Sequence, residues 1–159
     1  MKFNSALRNF VLVLFSTLLI SACSTAKKAS VDTVDDVYTG TDTVEYLAKG
    51  VPDRVFFATN KSKLTTRSRD TLRKQATWLR KNKDVTVTLE GHADERGTRE
   101  YNLALGERRA NAAKDYLITY GVSGKRVTVI SYGKEKPVNP ASTPLAWSQN
   151  RRSVTVKTN

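Results

Sequence analysis

Cysteine is almost absent: the 159 residues hold one, Cys23, so no internal disulfide is possible. Histidine is equally scarce. His92 is the only one and lies far along the chain from Cys23, which leaves too few ligands for a zinc-type cluster. No serine stands out as a nucleophile, so no catalytic residue, metal or cofactor is assigned. Long apolar runs are missing as well. Phe10 to Ile20 spans 11 residues, whereas a helix crossing a bilayer core needs about 20. Acids are in the minority, 15 against 27 Lys and Arg, for a net charge of +12 and a sequence pI near 10.0. A basic balance calls for an acidic partner, whether nucleic acid, an anionic membrane surface or an anionic polymer, and does not choose among them.

The N-terminus narrows the choice. Lys2 and Arg8 precede the short apolar run, and small residues follow it in Ile20-Ser21-Ala22-Cys23. This pattern predicts a secretory signal over residues 1–22 rather than a membrane span. Export denies access to nucleic acid, so no nucleic-acid partner is expected. Ile20 to Cys23 also resembles the bacterial lipobox, which implies cleavage before Cys23 and acylation of it. The competing reading is an ordinary signal peptide that contains a cysteine. Chemistry favours the lipid, because a lone exported thiol would stay unpaired in an oxidising compartment. Ser24 stands where an aspartate usually signals inner-membrane retention. The expected location is the outer membrane, lipid-anchored, with the domain facing the periplasm.

After the acylated terminus, residues up to 48 are rich in Ser, Thr and Asp and keep no period. They read as a flexible tether over 23–48, which leaves 49–159 as the folded domain. There the pattern alternates. Val55-Phe56-Phe57 predicts a short strand and Thr66 to Lys81 a helix. Val85 to Leu89 predicts a strand, and Arg99 to Tyr120 a long helix. Val127 to Ser131 predicts a strand, Leu145 to Asn150 a short helix, and Ser153 to Lys157 a last strand. The sum is an α/β sandwich, βαβαβ(α)β, with helices packed on one small mixed four-stranded sheet. Trp78 falls away from the apolar face of its helix and marks a possible partner surface.

The long helix carries an anomaly. With Tyr101 at the origin and about 100° per residue, Leu105, Ala112, Tyr116 and Ala113 form one apolar arc near 20–120°. Arg109 and Asn102 land inside that arc, near 80° and 100° on the same count. A guanidinium there must be paired or open into a pocket. Either it is a structural ion pair, or it is the fork that takes a ligand carboxylate. Asp94 lies in the polar segment between the middle strand and this helix, beyond a strand's carboxyl end, where open α/β sheets place ligands. A carboxylate and a guanidinium facing one cleft suit a zwitterion.

Gly91-His92-Ala93-Asp94-Glu95-Arg96-Gly97-Thr98, Tyr101-Asn102, Leu105-Gly106-Glu107-Arg108-Arg109-Ala110, Ser131 to Pro137 and Asn150-Arg151-Arg152 occur in that order. Together they resemble the signature of the OmpA-like peptidoglycan-binding family. With the lipobox and tether, the whole chain is similar to the family's peptidoglycan-associated lipoproteins. The resemblance implies binding to meso-diaminopimelate in the wall's stem peptide. Asp94 would take the ammonium and Arg109 the carboxylate, with Asn60, Asn102 and Arg151 as polar contacts and Leu105 as an apolar wall. It also implies TolB and the other Tol proteins as partners, in envelope integrity and cell division. Many members carry an aspartate where this chain has Ala58. The alternative is an envelope lipoprotein whose domain serves only as a protein–protein interaction module, in which case Asp94 and Arg109 should pair with each other.

The lipobox reading has a direct test. Mass spectrometry of the mature protein should find Cys23 at the N-terminus with added acyl mass, and an unmodified cysteine or a retained signal would refute it.

Overall fold

The structure, a computed structural model, describes residues 36–159. The expected signal at 1–22, the lipidated Cys23 and the tether's first part, through residue 35, lie outside the described residues.

Among the described residues, six strands and three α-helices follow in chain order: β1 (Tyr46–Ala48), β2 (Val51–Pro52), β3 (Arg54–Phe56), α1 (Thr66–Lys81), β4 (Val87–His92), α2 (Arg99–Thr119), β5 (Val127–Gly133), α3 (Pro144–Asn150) and β6 (Arg152–Lys157). The main sheet has the order β3-β6-β4-β5. β4 and β5 are parallel, and β6 runs antiparallel to both β3 and β4. A parallel pair needs a crossover, which α2 supplies. The result is the mixed four-stranded sheet with packed helices that the sequence predicts.

Each helix starts where a hydroxyl satisfies an otherwise free backbone amide. Thr65 accepts from Ser68 N at 3.1 Å, Thr98 from Tyr101 N at 3.2 Å and Thr143 from Ala146 N at 3.2 Å. Arg80 and Lys81 close α1 with positive charge at its negative end. Leu72, Ala76 and Leu79 of α1 and Ala110, Ala113 and Leu117 of α2 meet Val55, Phe57, Val87, Leu89 and Val127 in one core.

Several expectations change. The strand expected at Val85–Leu89 begins at Val87 and runs on through His92. The apolar arc of α2 is rotated: Tyr101 is exposed, Ala112 and Tyr116 are half-buried, and the buried face runs through Asn102, Leu105, Gly106, Arg109, Ala110, Ala113 and Leu117. Arg109 and Asn102 therefore lie near the middle of the buried face. Trp78 is partly buried against the core instead of pointing away from it. The domain also begins before Lys49. Residues 36–48, read as tether, fold onto it: Tyr38 packs edge-on against Phe56 with ring centroids 4.8 Å apart, Leu47 is buried, and β1 pairs with β2. Their apolar side chains form no period, yet Tyr38 and Leu47 are buried while Tyr46 stays exposed.

α2 crosses β4 at glycine. A Cβ on Gly91 would collide with the Gly106 carbonyl, and one on Gly106 would reach the Gly91 carbonyl oxygen at 2.8 Å. Backbone cannot yield as a side chain does. Gly91→Ala should therefore destabilise by about 3 kcal/mol or more in urea unfolding, and wild-type stability in that variant would rule out so close a crossing.

His92 is buried on the sheet face opposite α2. Burial, together with the charges of Arg152, Lys136 and Arg54, lowers its pKa to about 3. The folded protein thus refuses a proton that the unfolded chain accepts below about 6.5. Stability should fall as pH falls from there towards 3, with this group contributing up to about 1.4 kcal/mol per pH unit. Urea titrations across that range should show a shallower slope for His92→Phe, and identical slopes would refute the assignment.

Candidate functional site

Two loops and two helices meet beyond the carboxyl end of β4. Ala93 extends the strand pairing by donating to Gly133 O at 2.7 Å. Asp94 follows, and Gly97, at φ 91°, turns the chain into α2. Lys134 Nζ clamps this turn by donating to Glu95 O at 3.1 Å and Gly97 O at 2.8 Å.

Asp94 is buried and gathers cations. Arg96 donates to it three times, from its backbone N at 3.1 Å, Nε at 3.0 Å and Nη2 at 2.7 Å. Arg151 Nη1 adds a longer contact at 3.4 Å. Burial alone would raise the Asp94 carboxyl. The Arg96 hydrogen bonds and the two guanidinium charges outweigh it and hold the group below the usual carboxylate range.

Arg109 is fully buried and does not pair with Asp94. Its Nε donates to Lys61 O at 2.9 Å, Nη1 to His92 O at 2.8 Å and Nη2 to Ala58 O at 3.1 Å. Its guanidinium carbon lies 5.4 Å from the Phe57 ring centroid. Burial and the neighbouring Arg151 lower its pKa to about 10, so it stays charged at neutral pH. No carboxylate of the described residues forms an ion pair with it.

The other expected site residues divide. Arg151 sits at the centre, with Nε donating to Phe57 O at 3.1 Å. Asn102 is buried and supports the loop, donating to Arg96 O at 2.8 Å. Leu105 is buried in the α2 face. Asn60 is exposed, at the left-handed φ of 55°.

An open cleft of about 390 Å³ lies over the Asp94–Arg151 contact, lined by Asp36, Thr59, Arg96, Leu145, Trp147 and Arg151 among others. Of the expected ligand residues only Arg151 lines it; Asp94, Arg109, Asn60, Asn102 and Leu105 do not. Sequence reasoning missed several of these residues. Arg96 crosses the cleft floor and stacks on Trp147, its guanidinium carbon 4.3 Å from the ring centroid. Trp147 Nε1 in turn donates to Glu95 Oε1 at 2.9 Å. An arginine two residues after a loop carboxylate was the available signal for Arg96. Nothing in the local sequence marked Asp36, Thr59 or Trp147.

Comparison with known proteins identifies the family and the fold. The OmpA family profile matches residues 56–151. A peptidoglycan-associated lipoprotein of Mesorhizobium japonicum is 42% identical over 153 residues, covering 93% of this chain and 91% of that protein. One from Rhizobium meliloti is 57% identical over 106 residues, 67% of this chain but only 60% of the relative's length. Among solved structures, the peptidoglycan-associated lipoprotein from Burkholderia pseudomallei superposes with a TM-score of 0.65 at 35% identity, covering 67% of this chain and 90% of that one. The C-terminal domain of Helicobacter pylori MotB shares the fold, with a TM-score of 0.63 at 21% identity. The chain belongs to the OmpA family, among its peptidoglycan-associated lipoproteins.

Proposed function

We propose that this chain is a non-enzymatic wall-binding protein. It holds the outer membrane to peptidoglycan by gripping the meso-diaminopimelate end of a stem peptide. Cys23 carries the lipid anchor, and the domain faces the periplasm as part of the Tol–Pal system, with TolB as a partner.

The observation that carries the reading is the unpaired Arg109. A charged guanidinium buried among carbonyl oxygens is costly without an anion, and here three carbonyls and no carboxylate surround it. Of its five N–H groups, two remain after those three bonds. A ligand carboxylate arriving from the 58–61 side satisfies both the charge and the free donors. Asp94, held ionised by Arg96 and Arg151, offers negative charge to the ammonium on the same ligand carbon. Arg151, Asn102 and Asn60 contribute polar contacts, and Leu105 the apolar wall. The absence of an Asp94–Arg109 pair favours this reading over a module that binds only protein, where the two would neutralise each other.

Removing one member of a buried charged contact typically costs about 2–5 kcal/mol, which is roughly 30-fold or more in affinity. Asp94→Asn and Arg109→Lys should both lose that much in calorimetric titration with a diaminopimelate-containing stem peptide. Arg109→Lys should fail because an ammonium lacks the planar fork. Because Arg109 also ties three carbonyls, its variant should melt lower as well. If both variants bind like wild type and differ only in melting, the two residues are structural and the wall-binding site lies elsewhere.

A further inference from the structure

The chain's own N-terminal segment lies across the cleft. Asp36 Oδ2 accepts the Thr59 amide at 2.6 Å and stands 3.5 Å from Arg151 Nη2. That same Arg151 nitrogen donates to the Asp36 carbonyl oxygen. A backbone amide and a guanidinium converging on one carboxylate form the arrangement that would seize a carboxylate from solution. Here the carboxylate comes from the chain itself. Burial opposes the Asp36 charge, but the Thr59 hydrogen bonds and Arg151 outweigh it and hold the group below its usual range.

The contact also forms one side of the cleft. The Arg151 side chain is 3% exposed, with Nε and Nη1 already committed to Phe57 and Asp94. The Asp36 side chain is 41% exposed and is the outer member of the pair. Thr59 belongs to the loop whose Ala58 and Lys61 carbonyls lie on Arg109. Asp36 thus fastens the same loop that covers the buried guanidinium. Nothing in a core secures Asp36 itself: Val37 is half-buried, and the nearest buried side chain beyond it is Tyr38.

We infer that Asp36 is a competitor in cis for the carboxylate position formed by the Thr59 amide and Arg151, and that an incoming ligand carboxylate must displace it. The identity of that ligand, a stem-peptide carboxylate, rests on the function proposed above, whereas the contact itself does not. A group that occupies the site part of the time lowers apparent affinity by the fraction of molecules in which the site is open.

The test uses the full chain in detergent, as wild type, Asp36→Ala and Asp36→Asn, with isolated diaminopimelate-type sacculi. Two quantities are measured: affinity by co-sedimentation, and hydrogen exchange of the peptide containing Thr59 without sacculi. Asp36→Ala should bind more tightly, about tenfold if the wild-type site is open a tenth of the time. Asp36→Asn should move in the same direction by less, since its amide oxygen is a weaker acceptor. Exchange at Thr59 should be faster in both variants. Wild-type binding with equal or weaker binding by Asp36→Ala overturns the competition and leaves the wall reading standing; weaker binding would make Asp36 a ligand contact. Thr59 exchange that is the same in all three forms overturns the contact itself. Failure of every form to bind sacculi overturns the wall reading and the competition with it.

Discussion

The Arg109 guanidinium joins three segments that are distant in sequence. From the middle of α2 it donates to the loop after β3 at Ala58 and Lys61, and to the end of β4 at His92. Those carbonyls belong to chain that is leaving regular structure, where the sheet no longer satisfies them. One side chain with donors in a fixed plane serves all three, and only an arginine has that geometry. The helix must lie close to β4 for the reach to work, and the Gly91–Gly106 crossing permits it. Helix position, loop position and local charge are thereby coupled: moving α2 outwards would strand a charge and three carbonyls together.

The same device recurs. Arg126 donates to Val85 O at 2.9 Å and to Leu79 O at 3.1 Å, joining the start of β5 to the end of α1. Arg152 reaches Lys136 O at 3.2 Å, and Arg151 reaches Phe57 O. A chain that cannot form a disulfide uses guanidinium–carbonyl bonds to fasten its loops. The excess of basic residues is therefore not all surface charge awaiting an acidic partner, since several arginines are buried fasteners. The electrostatic argument for a polyanionic partner rests on the exposed remainder. Around the cleft Arg96 and Arg151 stand against Asp94, Glu95 and Asp36, while Arg109 lies beneath, bonded only to carbonyls.

The sequence by itself determined the order of the main sheet's strands and their helices, the helix limits and the anomaly at Arg109, but not the β1–β2 hairpin. The 3.6-residue spacing and the alternation are local signals, and they survived folding because the main helices and strands obey them. It also determined that a charged group would lie within the α2 apolar face, since that follows from spacing alone. Only the tertiary structure decided what the guanidinium meets there. Carbonyls from positions 58, 61 and 92 leave no trace in a pattern of side chains, because every residue carries the same backbone acceptor. The rotation of the α2 face had the same cause: tyrosines 101 and 116 are apolar enough to count towards an arc, yet the glycine crossing leaves Tyr101 exposed and Tyr116 at the margin of the core. The tether's inner half was illegible for a related reason. Asp36 and Tyr38 each find a partner far away in sequence, and such contacts exist only once the sheet and loops are in place to receive them.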